Sequence, residues 1–247
     1  MTLLHFNTLN KRGKKMTTTQ RSLLQRPMFW QIYLRCMRIN WLLHTHALIA
    51  FKRMLDLCLT LPAIVLLAPL FAAVALAVRI SDGGPALYWQ TRVGQHGKTF
   101  RFPKFRSMRV HADTLHSSMQ QHNQHGSECV TFKLKKDPRI TAVGRLLRRT
   151  SIDELPQLWC VLSGEMSLVG PRPALVSEVA RYTTADRQRL TVKPGLTCIW
   201  QVNGRSEVPF PQQVCMDIEY IRTRSIARDF RLIAETLPAV FKGRGAY

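Results

Sequence analysis

The sequence predicts an α+β chain, mostly helical. A re-entrant membrane helix hairpin joins one cytosolic domain with a small β-hairpin and membrane-surface amphipathic helices. Three observations predict it. An uncharged run, Leu57 to Val78, is interrupted near its middle by Pro69. Two apolar, aromatic-rich segments flank the glycine-bearing Gly94 to Gly97, the pattern of a β-hairpin. Segments of helical period follow, among them Ala142 to Arg149 and Ile226 to Phe241.

The bulk numbers bound the rest. A chain of 247 residues holds one good-sized domain with appendages. An apolar share of 46% excludes a disordered chain. Thirty-six Lys and Arg against fifteen Asp and Glu leave a net charge of +21. Such a surface seeks polyanions: nucleic acid, anionic lipid or phosphorylated small molecules. Charge alone does not choose among them. The six cysteines are scattered without C-x-x-C spacing, which reads as reduced thiols facing the cytosol. The N-terminus does not read as a signal peptide, because Arg35 and Arg38 interrupt its apolar residues.

In chain order, residues 1–27 are polar, basic and aperiodic, as in a disordered tail. Residues 28–51 carry Phe29, Trp30, Tyr33 and Trp41 interleaved with Arg35 and Arg38. That mixture suits an amphipathic helix at a lipid headgroup layer, or equally one packed on the domain. Residues 52–80 contain the 22 uncharged residues Leu57 to Val78. As a straight helix they would rise about 33 Å, enough for a bilayer core of about 30 Å. Pro69 removes one helical hydrogen bond and bends the run into halves of roughly 17 Å, each too short to cross. Both flanks are basic, with ten Lys and Arg and no acid in residues 1–53. Positive charge marks the cytoplasmic side, so both flanks are expected there and the segment enters and returns.

Residues 81–247 form the cytosolic domain. Leu87–Val93 and Thr99–Met108 are the hairpin strands, with Pro103 marking an edge or a bulge. Strand period places Lys104 and Arg106 on one face and Phe105 on the other. Two cations on one face could hold a phosphate, or simply be solvated. Residues 110–131 read as a mobile loop whose histidines have no metal spacing. After a turn at Asp137-Pro138 and the short helix comes Thr150-Ser-Ile-Asp-Glu-Leu-Pro156. Ser151 and Glu154 spell a capping box, in which each satisfies a free backbone N–H of the other. The same stretch sets Asp153 beside Glu154 directly after the basic pair Arg148-Arg149, a setting that would keep an attacking carboxylate ionised. Both readings stand on these residues alone. Downstream, the prolines around Arg172 fix its guanidinium as a rigid fork for phosphate oxygens, or make a stiff connector. Lys193 to Arg205 ends in Asn203-Gly204-Arg205, a hairpin-type turn or a second anion loop.

Taken in order, the motifs KFRSM, DPRIT, SIDELPQLW, LSGEMSLVGPRP, KPGLTCIWQVNGR and the terminal GRGAY resemble the bacterial sugar transferases. These are monotopic polyprenol-phosphate phosphoglycosyl transferases, and the chain resembles their compact form from about Lys52 onward. The resemblance implies transfer of a sugar-1-phosphate from a UDP-sugar, a hexose such as glucose or galactose, to undecaprenyl (polyprenol) phosphate with release of UMP. It implies Asp153 as nucleophile through a covalent phospho-sugar intermediate, with Glu154 completing the catalytic pair. Mg²⁺ is the implied cofactor, with Asp153 as its protein ligand. Lys104, Arg106, Arg148, Arg172 and Arg205 are the candidate phosphate-binding residues, and Pro69 the membrane bend. The partners implied are the two substrates and the lipid bilayer, with a homo-oligomer left open and no nucleic acid. The place implied is the cytoplasmic face of the bacterial inner membrane, at the first membrane step of exopolysaccharide or other lipid-linked glycan synthesis. One departure is Ala68, where some relatives place Ser before the bending proline. The rival reading is a membrane-tethered nucleic-acid-binding or scaffold protein. It explains the charge and the apolar run but has no use for Asp153-Glu154.

Overall fold

The computed structural model describes residues 27–110 and 137–242. The predicted tail before Pro27, the loop histidines His111, His116, His122 and His125, Cys129 and the final GRGAY therefore lie outside the described residues. Contacts divide the chain into two units, Met1–Phe51 and Lys52–Tyr247. Within the first unit the chain is helical from Pro27, and Trp30 and Tyr33 meet edge to face at 5.9 Å. Ile32, Leu34, Met37 and Ile39 are exposed there as well.

Helix α1 is assigned over Pro27–Asp82 and contributes to both units. Within its part from Ala47 to Asp82 the most apolar stretch has a mean hydropathy of 2.6 and is only 11% buried. A core helix of a soluble protein would be largely buried, so this one is compatible with association with a membrane. Helical structure continues through Pro62 and Pro69.

The turn of α1 at the start of the second unit is fixed to the domain by three charged residues. Lys52 pairs with Asp229 and also reaches the Tyr220 hydroxyl at 3.4 Å and the Val169 carbonyl at 3.3 Å. Arg53 donates to the carbonyls of Val161 at 2.5 Å and Leu162 at 2.8 Å. Those carbonyls end helix α3 (Leu158–Ser163), where a helix leaves acceptors unsatisfied and favours a cation. Asp56 accepts the Leu168 N–H at 3.1 Å.

Strands β1 (Leu87–Val93) and β2 (Thr99–Phe105) form the predicted antiparallel hairpin, closed by a 3₁₀ turn at Gln95–Gly97. The short β4 (Ala174–Leu175) pairs with the other side of β1, giving the order β2-β1-β4. Pro103, opposite Trp89, thus lies on an edge strand, where its missing N–H breaks no second ladder. Beneath the hairpin Phe100 and Phe102 pack with Cys160, Val161 and Met166. Phe105 instead joins Val74 and Val78 of α1 and Leu147 of helix α2 (Ala142–Thr150).

Arg106 departs from the reading that paired it with Lys104. The strand ends at Phe105, and the Arg106 N–H still donates to the Ala86 carbonyl at 2.8 Å in the register of the ladder. Its guanidinium packs on Gly84, where a Cβ would lie 2.2 Å from Nη1. Strand parity places the two cations alike, but their partners differ: Lys104 meets Glu154 and Arg106 meets Gly84.

A second sheet pairs β3 (Ser167–Val169) with β5 (Gly195–Thr197) in parallel. Just beyond β3, Gly170 meets Gly195 so closely that a Cβ on Gly195 would lie 2.0 Å from the Gly170 nitrogen. That approach lets Gly195 N–H bond the Pro171 carbonyl at 2.9 Å and anchors the loop through Arg172. Four helices also follow β4: α4 (Val176–Ala180), α5 (Ile199–Asn203), α6 (Phe210–Thr223) and α7 (Ile226–Lys242). Tyr220 of α6 and Leu232 of α7 pack on Val169 and Ile199. Five described cysteines, at 36, 58, 160, 198 and 215, are free thiols.

Candidate active site

Helix α2 starts where Thr141 accepts the Gly144 N–H at 2.9 Å. Gly144 also abuts the end of the β2 segment, since a Cβ there would lie 1.9 Å from the Ser107 carbonyl oxygen. One turn later Arg148 Nε donates to Ser107 Oγ at 2.9 Å, which fixes that guanidinium against the hairpin. Ser151 then takes a left-handed conformation, φ 56°, and ends the helix with its N–H on the Arg148 carbonyl.

Residues Ile152–Gln157 continue as a 3₁₀ turn. The predicted capping box is absent. The Ser151 side chain makes no cap hydrogen bond, and the Glu154 N–H goes to the Ser151 main-chain carbonyl at 3.1 Å. Pro156 has no N–H with which to extend an α-helix back to Ile152. In a 3₁₀ turn neighbouring residues diverge by about 120°, so Asp153 and Glu154 face different surroundings.

Glu154 faces two cations. Lys104 Nζ lies 2.9 Å from Oε1. Arg172 grips the same carboxylate with both prongs, Nη2 to Oε1 at 2.7 Å and Nη1 to Oε2 at 3.3 Å. All three side chains are about one-fifth exposed (20% to 22%), so the charges are partly desolvated. Burial by itself would raise the Glu154 pKa, but Arg172 and Lys104 outweigh it and hold the carboxyl well below the usual range. Asp153 is 7% exposed and makes no such pair among the described residues. Burial pushes its pKa up to about 6, with Lys104 opposing and the Glu154 charge adding to the rise. Two adjacent carboxyls are thereby driven in opposite directions, the arrangement by which a site separates two roles.

Of the basic pair before them, Arg148 acts on Asp153 and lowers its pKa, whereas Arg149 is exposed. The net shift at Asp153 is upward, because desolvation exceeds what the cations return. Arg205 follows Gly204 (φ 157°) with its own φ at 52°, and its charge reaches Glu154. Asn203-Gly204 closes helix α5 and is not a hairpin turn. The structure thus gathers Lys104, Arg148, Arg172 and Arg205 around the Asp153-Glu154 turn and leaves Arg106 at Gly84.

Among the described residues no three His, Cys, Asp or Glu side chains converge as a metal cage. Glu154 is committed to Lys104 and Arg172. A divalent ion would therefore have Asp153 as its protein ligand and take its other oxygens from substrate phosphate and water. That sparse donor set fits Mg²⁺, which is commonly held by one or two carboxylates and a diphosphate.

Sequence reasoning missed Arg92 and Gln90. Arg92 Nη1 donates to the Pro173 carbonyl at 3.0 Å, while Nε and Nη2 grip Gln90 Oε1 at 3.0 and 2.7 Å. Period two along β1 was the available signal, since Gln90 and Arg92 share a face with Tyr88, which stands opposite Lys104 across the hairpin.

The model of the bacterial sugar transferase family matches residues 47–243. The chain belongs to that family. Over 197 residues it is 46% identical to the galactosyl transferase CpsE of Streptococcus agalactiae, covering 79% of this chain and 43% of that one. The exopolysaccharide production protein ExoY of Sinorhizobium fredii is 40% identical over 79% of this chain and 88% of its own. The undecaprenyl-phosphate galactose phosphotransferase of Salmonella typhimurium is 40% identical over 79% of this chain and 41% of its own. This sugar transferase thus spans most of ExoY and less than half of the other two.

Proposed function

We propose that the protein transfers a sugar-1-phosphate from a UDP-hexose to undecaprenyl phosphate, releasing UMP, at the start of exopolysaccharide or other lipid-linked glycan assembly. Membership of the sugar transferase family and the names of the relatives support this reaction class. The observation that carries the mechanism is the split carboxylate pair: Glu154 bound by Lys104 and Arg172 beside a buried Asp153 that has no ion pair among the described residues.

The Asp153 carboxylate attacks the phosphorus that bears the sugar. An Oδ–P bond forms, the bond from that phosphorus to the bridging oxygen breaks, and UMP leaves. An oxygen of undecaprenyl phosphate then attacks the same phosphorus. The new P–O–P linkage forms as the bond to Asp153 breaks, which returns the carboxylate. Arg172, Lys104, Arg148 and Arg205 position the phosphates and balance charge on the oxygens in flight. Bound Mg²⁺, held by Asp153 and the diphosphate, would neutralise leaving-group charge. Glu154 keeps Lys104 and Arg172 in place and charged.

The segment around Pro69 enters the membrane and returns, leaving the site on the cytoplasmic face of the bacterial inner membrane. Exposed Leu146, Trp159, Phe230 and Leu237, with Arg145 and Arg149 exposed on the same helix as Leu146, support a surface resting on lipid. A homo-oligomer is compatible with this placement.

Purified protein incubated with UDP-galactose or UDP-glucose, undecaprenyl phosphate and Mg²⁺ should release UMP only when the sugar nucleotide matches. Silence with every UDP-sugar overturns the assignment. Arg172→Lys keeps the charge but loses the two-pronged geometry, so kcat/KM for UMP release should fall about tenfold or more. Unchanged kinetics would reduce Arg172 to a diffuse positive field. For topology, single cysteines at Gln20 and Val240 in a cysteine-free background should both react only from the cytoplasmic side. Periplasmic labelling of the first would show that α1 crosses.

A further inference from the structure

We infer that Arg92 is a positioning residue for the reaction, setting the Arg172 fork from the β-hairpin behind it through a Gln90–Arg92–Pro173 link. The inference deepens the reading of Arg172 as a phosphate-positioning group and rests on it. Four observations on β1 and its neighbours carry it.

First, Arg92 spends its donors on two fixed acceptors. Nε and Nη2 hold the Gln90 side-chain oxygen, and Nη1 holds the main-chain carbonyl of Pro173, the residue directly after Arg172. Second, the segment immediately following is bound to the same strand, with Arg92 opposite Leu175 and Val93 opposite Ala174. Third, the N-terminal side of the loop is tied to β5, through the Pro171 carbonyl on Gly195 N–H. The Pro-Arg-Pro loop is therefore held at both ends, and the side-chain clamp at the Pro173 end is Arg92. Proline on either side limits the backbone to few conformations, so small shifts of the Pro173 carbonyl are transmitted to the guanidinium of Arg172.

Fourth, both cationic arms of the site share one aromatic seat. The Arg92 guanidinium lies 5.2 Å from the centroid of the Phe102 ring, and Lys104 Nζ lies 5.5 Å from the same centroid. Phe102 is 1% exposed and belongs to the core beneath the sheet. Lys104 and Arg172 then converge on the Glu154 carboxylate. Cations attracted to one buried ring keep a fixed relation to each other. The spacing between Lys104 and the Arg172 loop is thus referenced to a single rigid side chain.

Gln90 needs only an acceptor oxygen to serve Arg92, so Gln90→Glu should keep most activity, whereas Gln90→Leu should not. Arg92→Met removes the clamp while keeping a long side chain on Phe102. Loss of a charged donor of this kind should lower kcat/KM for UMP release roughly ten- to a hundredfold, with circular dichroism unchanged. A residue acting through Arg172 has nothing to position once the fork is gone. In an Arg172→Met background, Arg92→Met should therefore cause less than about a twofold further loss. Full additivity of the two losses overturns the inference.

Hydrogen exchange gives a readout independent of turnover. Amides of residues 170–176 should exchange at least about tenfold faster in Arg92→Met or Gln90→Leu than in wild type. Unchanged exchange in both variants also overturns the inference. Should wild type release no UMP, the proposed function falls, and the exchange comparison alone decides whether Arg92 holds the loop.

Discussion

Asp153→Asn should leave a folded protein that releases essentially no UMP, a loss of at least about a thousandfold. The substitution is nearly isosteric, and the side chain it replaces makes no ion pair among the described residues. Stability should not suffer. A carboxyl whose folded pKa is raised to about 6 favours the protonated form on folding. Its ionisation therefore costs stability above that pH and nothing well below the unfolded value of 3.8. A neutral amide removes this cost at neutral pH, so the melting temperature should hold or rise. With UDP-hexose and no lipid acceptor, intact-mass analysis should show wild type gaining one sugar phosphate and Asp153→Asn gaining none. The pH dependence tests the same group. Attack requires the ionised form, so wild-type kcat/KM should fall about tenfold per unit below about pH 6. A flat profile from pH 5 to 8, or an Asn variant with normal turnover, would move the nucleophile elsewhere.

Glu154→Gln should damage both stability and activity, for one reason. It strips the counter-charge from Lys104 and Arg172, which are only about one-fifth exposed (20% and 22%). Removing one partner of a partly buried ion pair leaves the others desolvated, at a cost on the order of 2–3 kcal/mol. The sign of the pH dependence follows from the depressed Glu154 pKa. Its stabilisation is present above the ordinary glutamate range and is lost as pH falls through the folded value. Urea unfolding should therefore separate wild type from Glu154→Gln at pH 7, and the two curves should converge in acid. Turnover should drop about a hundredfold at pH 7, because both phosphate-positioning cations lose their fixed geometry. A variant as stable as wild type at pH 7 would mean that solvent already screens the three charges.

Much of this was legible before any coordinates. The hairpin strands, the turn at Asp137-Pro138, the helix after it and the last helix follow from periodicity and turn chemistry within short windows. The apolar length of α1 is equally local information, since hydropathy over some twenty residues needs no fold to be computed. Residue types also pointed to the site: adjacent carboxylates and a proline-locked arginine are chemically unusual wherever they occur.

Three things were decided only by tertiary structure. Ser151-x-x-Glu154 reads as a capping box because that motif is local, yet Glu154 turns to Lys104, 50 residues earlier, and Arg172, 18 later. A pair of partly desolvated cations attracts a carboxylate more strongly than one backbone N–H does. Lys104 and Arg106 read as a pair because they share a parity on the strand, but Lys104 meets Glu154 while the Arg106 guanidinium packs at Gly84. Last, alternation along β1 offered the face Arg92 lies on, but its link to a carbonyl 81 residues away belongs to the fold alone. The sequence alone determined which residues could carry charge, bend a helix or hold phosphate. The fold decided which of them meet, because desolvation and pairing energies depend on neighbours distant in the chain.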